Sequence, residues 1–195
     1  MEKKKKIRYN KTRGRIENTM EKEKKRIFLH DDFEEQLKNK KLTKNCLIRI
    51  NDTREIYNKL VDAGFGFNKG AYTSPQGQSC IVKNASKKYS VWFLNHNDVY
   101  ERGDENPVDK WKNKICIDAV IQNYILNHDE SLHKNYNEEI KTKKQRIIFW
   151  KKDEFQYVFW GIFSMVKNEI VDIEKDIAKV SYKEVSDTLV PIKDM

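Results

Sequence analysis

The sequence predicts the α+β class: a small β-barrel preceded by a basic, helical amino-terminal extension. Three observations carry this expectation. Residues Arg146 to Phe163 read RIIFWKKDEFQYVFWGIF, two runs of β-branched and aromatic residues separated by Lys151-Lys152-Asp153-Glu154, the pattern of a β-hairpin. From residue 71 onward, strand-like runs recur at intervals typical of a small barrel. Charge is also divided unevenly. Residues 1–26 hold twelve Lys or Arg against four Glu, a net +8 of the chain's formal +9. The division expected is a basic arm with short helices over 1–44 and a barrel domain over 45–195.

Along the arm, 1–15 is expected to be disordered when free. Residues 16–41 are rich in helix formers, with Glu21–Lys25 and Glu34–Lys38 at i,i+4 spacing. The His30-Asp31-Asp32 break lets either Asp cap a second short helix ending near Lys40. Apolar positions such as Ile16, Met20 and Ile27 are sparse, so the first helix needs a partner to be stable.

The body opens with a strand over Cys46–Ile50. Asp52-Thr53-Arg54-Glu55 has the spacing of a capping box for a helix over Arg54–Ala63, which Gly64 ends. The aromatic loop Phe65-Gly66-Phe67-Asn68-Lys69-Gly70 follows; it lacks the G-K-[ST] of a phosphate-binding loop. Further strands are expected at Gln78–Lys83, Tyr89–Leu94, Lys114–Ile117 and Val120–Leu126. Asn95–Lys110 reads as a polar loop, and His128–Lys144 as a polar stretch ahead of the hairpin. Past the hairpin, Ile170–Leu189 reads as a strand around Ala178–Tyr182 with short helical pieces.

Within the hairpin, Phe155, Tyr157, Phe159, Gly161 and Phe163 share one face at period two, and Gln156, Val158, Trp160 and Ile162 share the other. A strand apolar on both faces belongs at the centre of a sheet or against a pocket. Gly161 inside it marks a bulge or a close backbone approach.

Composition narrows the function classes. The 195 residues suit one domain plus an extension. No apolar run is long enough to span a bilayer, and the basic start lacks the apolar segment of a signal peptide, so a soluble cytoplasmic protein with no membrane partner is expected. Cys46, Cys80 and Cys116 are odd in number and form no C-x-x-C pair, which indicates neither a disulfide framework nor a zinc site. His30, His96, His128 and His133 share no metal-ligand spacing. No metal and no cofactor is expected.

Three segments then occur in order: Trp111-Lys112-Asn113-Lys114-Ile115-Cys116-Ile117-Asp118, the hairpin, and Val180-Ser181-Tyr182-Lys183-Glu184-Val185-Ser186-Asp187. Over about residues 45–190 the chain resembles a PUA-like barrel module of prokaryotic restriction and defence proteins. In that module a tryptophan-asparagine strand precedes a hairpin that ends in an aromatic-x-Phe-x-Gly-Val-Phe pattern. The resemblance implies a small barrel that recognises nucleic acid, sometimes by holding a modified or flipped base in an aromatic pocket, and that is not itself the catalyst. The chain departs from the pattern in carrying no recognisable nuclease or helicase domain beside the barrel.

The nucleic-acid-binding residues follow from charge: Lys3, Lys4, Lys5, Lys6, Arg8, Lys11, Arg13, Arg15, Lys22, Lys25 and Arg26 of the arm are placed against phosphates. Arg13-Gly14-Arg15 is slim enough for a narrow minor groove but lacks the prolines that flank an AT-hook. The candidate base pocket is Phe67, Asn68, Trp92, Trp111 and Trp160, with Phe93 and Trp150 as further stacking surfaces. Aromatic faces accept any unstacked base at about 1–3 kcal/mol each, and Asn68 or Asn113 has the amide that pairs bidentately with an adenine edge. The competing assignment for each aromatic is the core, where strand aromatics usually lie. Asp118, Glu139 and Lys141 fall in the order of a metal-dependent nuclease motif, but carboxylates are abundant here and Glu139 sits in a polar stretch.

Two functions from different classes fit. The first is a non-catalytic nucleic-acid-binding protein of prokaryotic or phage defence, with DNA ahead of RNA, whose barrel reads a modified or flipped base. The second is an accessory of a nuclease such as a CRISPR ribonucleoprotein, enhancing or obstructing its DNA binding. A homodimer through the helices of 16–41 would give such an accessory two arms.

Overall fold

The computed structural model describes residues 28–72, 79–94, 111–115, 118–125, 130–172 and 177–192. The basic arm through Arg26 and its first expected helix lie outside the described residues. So do the loop over 95–110, Cys116, His96 and His128. The described elements are three helices and ten strands: α1 (Phe33–Lys38), β1 (Leu42–Thr43), β2 (Leu47–Ile48), α2 (Thr53–Asp62), β3 (Ser79–Val82), β4 (Tyr89–Leu94), β5 (Trp111–Ile115), β6 (Ala119–Ile125), α3 (Glu130–Thr142), β7 (Gln145–Asp153), β8 (Gln156–Asp172), β9 (Ile177–Ser186) and β10 (Thr188–Leu189). The α+β class is as expected.

Seven strands run in the order β3-β4-β7-β8-β9-β6-β5, and β2 joins the same sheet through β8. All these pairings are antiparallel except β4 with β7, which run parallel with Tyr89 opposite Gln145 and Leu94 opposite Trp150. Parallel neighbours need a long crossover, and here it comprises β5, β6 and α3. The sheet curls because β8 changes neighbours along one edge. Residues Tyr157 and Val158 pair with β2, and from Ile162 onward β8 pairs with β9.

The hairpin lies at the middle of this sheet, as its two apolar faces require, but its faces do not alternate without interruption. Ile148 is opposite Gly161 and Phe149 is opposite Phe159, so Trp160 has no partner of its own on β7. One extra residue shifts the side-chain phase by one position. Tyr157, Phe159 and Ile162 therefore share one core with Val91, Phe93 and Phe149, whereas Val158, Trp160, Phe163 and Met165 share the other with Trp92, Ile148 and Tyr182. This corrects the expectation that Phe163 lies on the Phe159 face. Gly161 is the residue that permits the shift. Its φ is 122°, and a Cβ there would stand 2.8 Å from Glu184 Oε1 and 3.0 Å from the Ser186 carbonyl oxygen.

The first core also takes in Phe33, Leu37 and Leu42 from the amino side. β1 pairs with β10, and His30 bridges to Cys46. Packed structure thus begins ahead of the boundary expected at residue 45. α2 starts at Thr53, one residue before the expected start, and Asp52 Oδ1 accepts the Arg54 amide at 2.8 Å as its N-cap.

On the second side of the sheet the polar stretch over 128–144 contains α3. The strand expected around Ala178–Tyr182 is β9, but the short helical pieces expected beside it are not found among the described residues, which form the end of β8, the rest of β9 and β10. Few apolar residues advertise α3, because it docks largely through polar and aromatic contacts. Tyr136 meets Tyr124 edge to face at 5.1 Å, Asn168 Nδ2 donates to the His133 carbonyl and to Asn137 Oδ1 at 3.1 Å each, and Tyr124 OH donates to Asn168 Oδ1 at 2.8 Å. At its carboxyl end Glu139 Oε2 accepts from Arg146 Nη2 at 2.6 Å and Nε at 3.2 Å. Arg146 is only 2% exposed and is caged by rings: its guanidinium carbon lies 4.9 Å from the Trp92 centroid, 5.0 Å from Tyr182 and 5.8 Å from Tyr136.

Two stability outcomes follow. Gly161→Ala should cost roughly 1–3 kcal/mol, the scale of backbone strain at positive φ for a residue with a Cβ, read as a lower urea midpoint with unchanged slope. Glu139→Ala removes the one carboxylate facing a buried guanidinium, and removing one member of a buried pair costs about 3–5 kcal/mol. The lower end applies because Glu139 is partly solvated, and Glu139→Gln, which keeps an acceptor, should lose less in the same titration.

Candidate nucleic-acid interface

The first core comes to the surface where the amino end of α2 meets the loop over 65–72, and aromatic residues collect there. Gly66, at φ 81°, lets this loop lie directly on the Ile192 backbone carbonyl, and Ile192 N donates to the Phe65 carbonyl at 3.0 Å. The loop then passes under α2. Phe67 stacks on Tyr57 with centroids 5.9 Å apart and planes 22° apart, and Tyr57 OH donates to the Asn68 carbonyl at 2.9 Å. Tyr72 packs against Tyr57 at 6.0 Å but stays half-buried, so part of its ring remains accessible. Its hydroxyl is held 2.6 Å from Thr53 Oγ1, in the first turn of α2. Asp52 is exposed beside it, and its carboxylate caps α2 through one oxygen.

Electrostatically this corner keeps its phenols neutral. Burial pushes Tyr57 up to about 12. Tyr157 is also pushed up to about 12, by burial first and then by Tyr72, Cys80 and Asp52 close by. Burial raises Tyr72 as well, against the hydrogen bond from Thr53. The Cys80 thiol, buried beside Tyr72, is raised by burial too and is correspondingly unreactive. Neutral phenols with one accessible ring face and an adjacent carboxylate make a surface that can stack a planar heterocycle and accept from its exocyclic amino group.

The five residues expected to form a base pocket do not converge on one place. Phe67 is 7% exposed and lies beneath Tyr57 at this corner. Asn68 is exposed beside it, with Nδ2 committed to the Asn84 carbonyl at 2.8 Å, which leaves the amide serving a loop contact rather than a free edge. Trp92 and Trp160 face the opposite core. Trp92 is fully buried against Arg146 and Tyr182, and Trp160 meets Trp150 edge to face at 5.6 Å with Lys44 Nζ 4.9 Å from its ring. Phe93 is buried against Phe149, 5.2 Å away. Trp111 opens β5 opposite Tyr124 in register, and Asn113 pairs with Gln122. The eleven arm residues from Lys3 to Arg26 lie outside the described residues.

Sequence reasoning passed over Tyr57, Tyr72 and Asp52. The hint was local: Tyr57 falls on the apolar side of α2, and Tyr72 follows directly on the glycine-punctuated loop. The nuclease-like trio is dispersed among other contacts. Glu139 holds Arg146, Lys141 Nζ pairs with Glu138 Oε1 at 2.6 Å, and the Asp118 carbonyl accepts the Glu184 amide at 3.0 Å. Among the described residues, no group of three or more His, Cys, Asp and Glu side chains could hold a metal ion. No described helix is long and apolar enough to cross a membrane.

Comparison with known proteins returns one family. The profile of the SRA (SET and RING associated) domain matches residues 40–190, from β1 through β10. No curated protein and no solved structure matches the chain. A match over this span takes in every described strand and the aromatic corner, while Phe33 and Leu37 of the first core precede it; it refines the resemblance seen in the sequence. The chain belongs to the SRA domain family, PUA-like barrels that bind modified DNA bases.

Proposed function

We propose that this chain is a non-catalytic reader of DNA that holds one modified, flipped base at the corner formed by Tyr72, Tyr57 and Asp52, while its basic arm grips phosphates. The carrying observation is Tyr72, half-buried at the margin of the first core with the exposed Asp52 beside it, a pairing of ring and carboxylate that the exposed Phe28 and Phe155 and the half-buried Tyr89 and Trp150 are not seen to make. A flipped cytosine stacked on Tyr72 gains roughly 1–3 kcal/mol, and the Asp52 carboxylate is the acceptor that its exocyclic amine needs. The DNA-binding character of the SRA family supports the substrate class. The resemblance to restriction and defence modules supports a role in prokaryotic or phage defence, and the dispersal of Asp118, Glu139 and Lys141 supports a non-catalytic one.

The binding energy then comes from two sources that respond differently to salt. Stacking at the corner is nearly indifferent to ionic strength, whereas phosphate neutralisation by the arm is not.

The test is fluorescence anisotropy with short duplexes that differ only at one cytosine, unmodified or 5-methylated. Tyr72→Ala should weaken binding of the methylated duplex about five- to 150-fold, the range set by lost stacking, and leave the unmodified duplex nearly unchanged. Tyr72→Phe, which keeps the ring and loses the Thr53 bond, should retain most of the preference. Equal losses on both duplexes would remove Tyr72 from the reading.

The arm is checked separately by comparing the full chain with one that begins at Ile27. With roughly six to eight phosphates neutralised, log affinity should fall against log salt with a slope of about −5 to −7, and the shortened chain should lose most of that slope. Superimposable salt dependences would acquit the arm of any phosphate contact.

A further inference from the structure

Arg54 is an unusual arginine for its position. It lies in the first turn of α2, where the helix dipole disfavours a cation, so helix stability does not account for it. The other two described arginines are each ion-paired, Arg49 with Asp31 at 2.7 Å and Arg146 with Glu139 at 2.6 Å. Arg54 forms no ion pair among the described residues. Its side chain instead reaches the ring of Tyr72, with the guanidinium carbon 5.2 Å from the centroid, although the residue itself is exposed. The backbone beneath is fixed, since the Arg54 amide is bound by Asp52 Oδ1 at 2.8 Å and Tyr72 is tied to Thr53 at 2.6 Å. A fixed backbone thus carries one exposed cation over the ring that the proposed reading assigns to the DNA base.

We propose that Arg54 is a placeholder on the Tyr72 face, which leaves the ring for a DNA phosphate when a flipped base takes its place. The inference rests on the reading of the Tyr72 corner given above. An exposed cation–π contact is weaker than a stacked base, so a base wins the exchange. The displaced guanidinium is not stranded, because the incoming strand brings a phosphate suited to its planar donors. Until that moment the cation covers the accessible aromatic surface, so a base that does no more than brush the corner gains little. Arg54 would therefore act as a specificity-determining residue: it discounts stacking alone and leaves the decision to groups that read the base edge.

The exchange predicts opposite effects on two readouts of one variant. The probe is a duplex with 2-aminopurine beside a 5-methylcytosine, which brightens when its neighbour leaves the stack. With protein at saturation the signal reports flipping and not affinity. Arg54→Ala should raise the flipping equilibrium about two- to fivefold, the weight of the lost competitor, while lowering the magnitude of the salt slope of binding by about one. Arg54→Lys, still a cation, should restore the slope. An unchanged or reduced signal with Arg54→Ala, or an unchanged slope, overturns the placeholder while brightening by the wild-type protein preserves the base-reading function. Absence of brightening with both proteins overturns that function and the placeholder with it.

Discussion

The extra residue in β8 is the constraint on which the rest of this fold depends. A regular strand presents alternate side chains to two fixed faces, and β8 has to serve three neighbours and two cores over seventeen residues. With Trp160 unpaired and Gly161 at φ 122°, the strand changes phase where it passes between the two cores. Before the bulge its Tyr157 and Phe159 pack toward the α2 side, and after it Phe163 and Met165 pack toward α3. At the same place β8 gives up β2 and takes β9 as its neighbour. The bare Cα of Gly161 also admits Glu184, whose carboxylate lies 2.8 Å from Lys44 Nζ. That lysine extends over Trp160 and Phe163, so the bulge, the ion pair and two aromatic rings form one continuous contact.

The two cores are built by different physics. The α2 side is a conventional apolar core, with aliphatic side chains between stacked rings. The α3 side includes a buried arginine enclosed by Trp92, Tyr136 and Tyr182, and its helix is fastened by hydrogen bonds and one carboxylate. Buried ionic contacts demand geometry more than they add net stability. They therefore fix where α3 sits, whereas the first core supplies most of the apolar burial. In the proposed reading the aromatic corner belongs to the α2 side, where Tyr72 lies half-buried at the margin; on the α3 side the half-buried Trp150 packs against Trp160 instead.

Much of this was legible in the residues. Alternation and β-branching marked β3, β4, β6 and the hairpin within a residue or two. Asp52 and Gly64 bracketed α2, and a glycine inside an apolar strand announced the bulge. What stayed hidden was whatever depends on a distant partner. The helix α3 shows few apolar residues because Tyr136, His133, Asn137 and Glu139 dock it through contacts with Tyr124, Asn168 and Arg146, and no local pattern encodes those. The expected aromatic cluster does not assemble for a related reason. Tryptophan looks like the natural stacking residue, yet Trp92 and Trp160 sit on strands apolar on both faces, where large rings are drawn inside. Tyr72, on a loop beside a helix start, combines a face with a polar end and can remain half in water.

That last contrast bears on how a nearly neutral body can serve a polyanion. Residues 27–195 carry almost none of the net positive charge, so the proposed reading assigns long-range attraction to the arm and discrimination to the body. The separation is useful because the two demands conflict at a single site. A strongly cationic pocket would hold any duplex and blur the contrast between modified and unmodified bases, since phosphate contacts carry no sequence information. A neutral aromatic corner contributes only when a base has left the stack, and the cost of extrusion falls on every wrong encounter. A single cation, Arg54, stands at the junction of these regimes. Lying over Tyr72, it belongs to neither the arm nor the core, and in the proposed exchange its position would tie capture of phosphate to access to the ring.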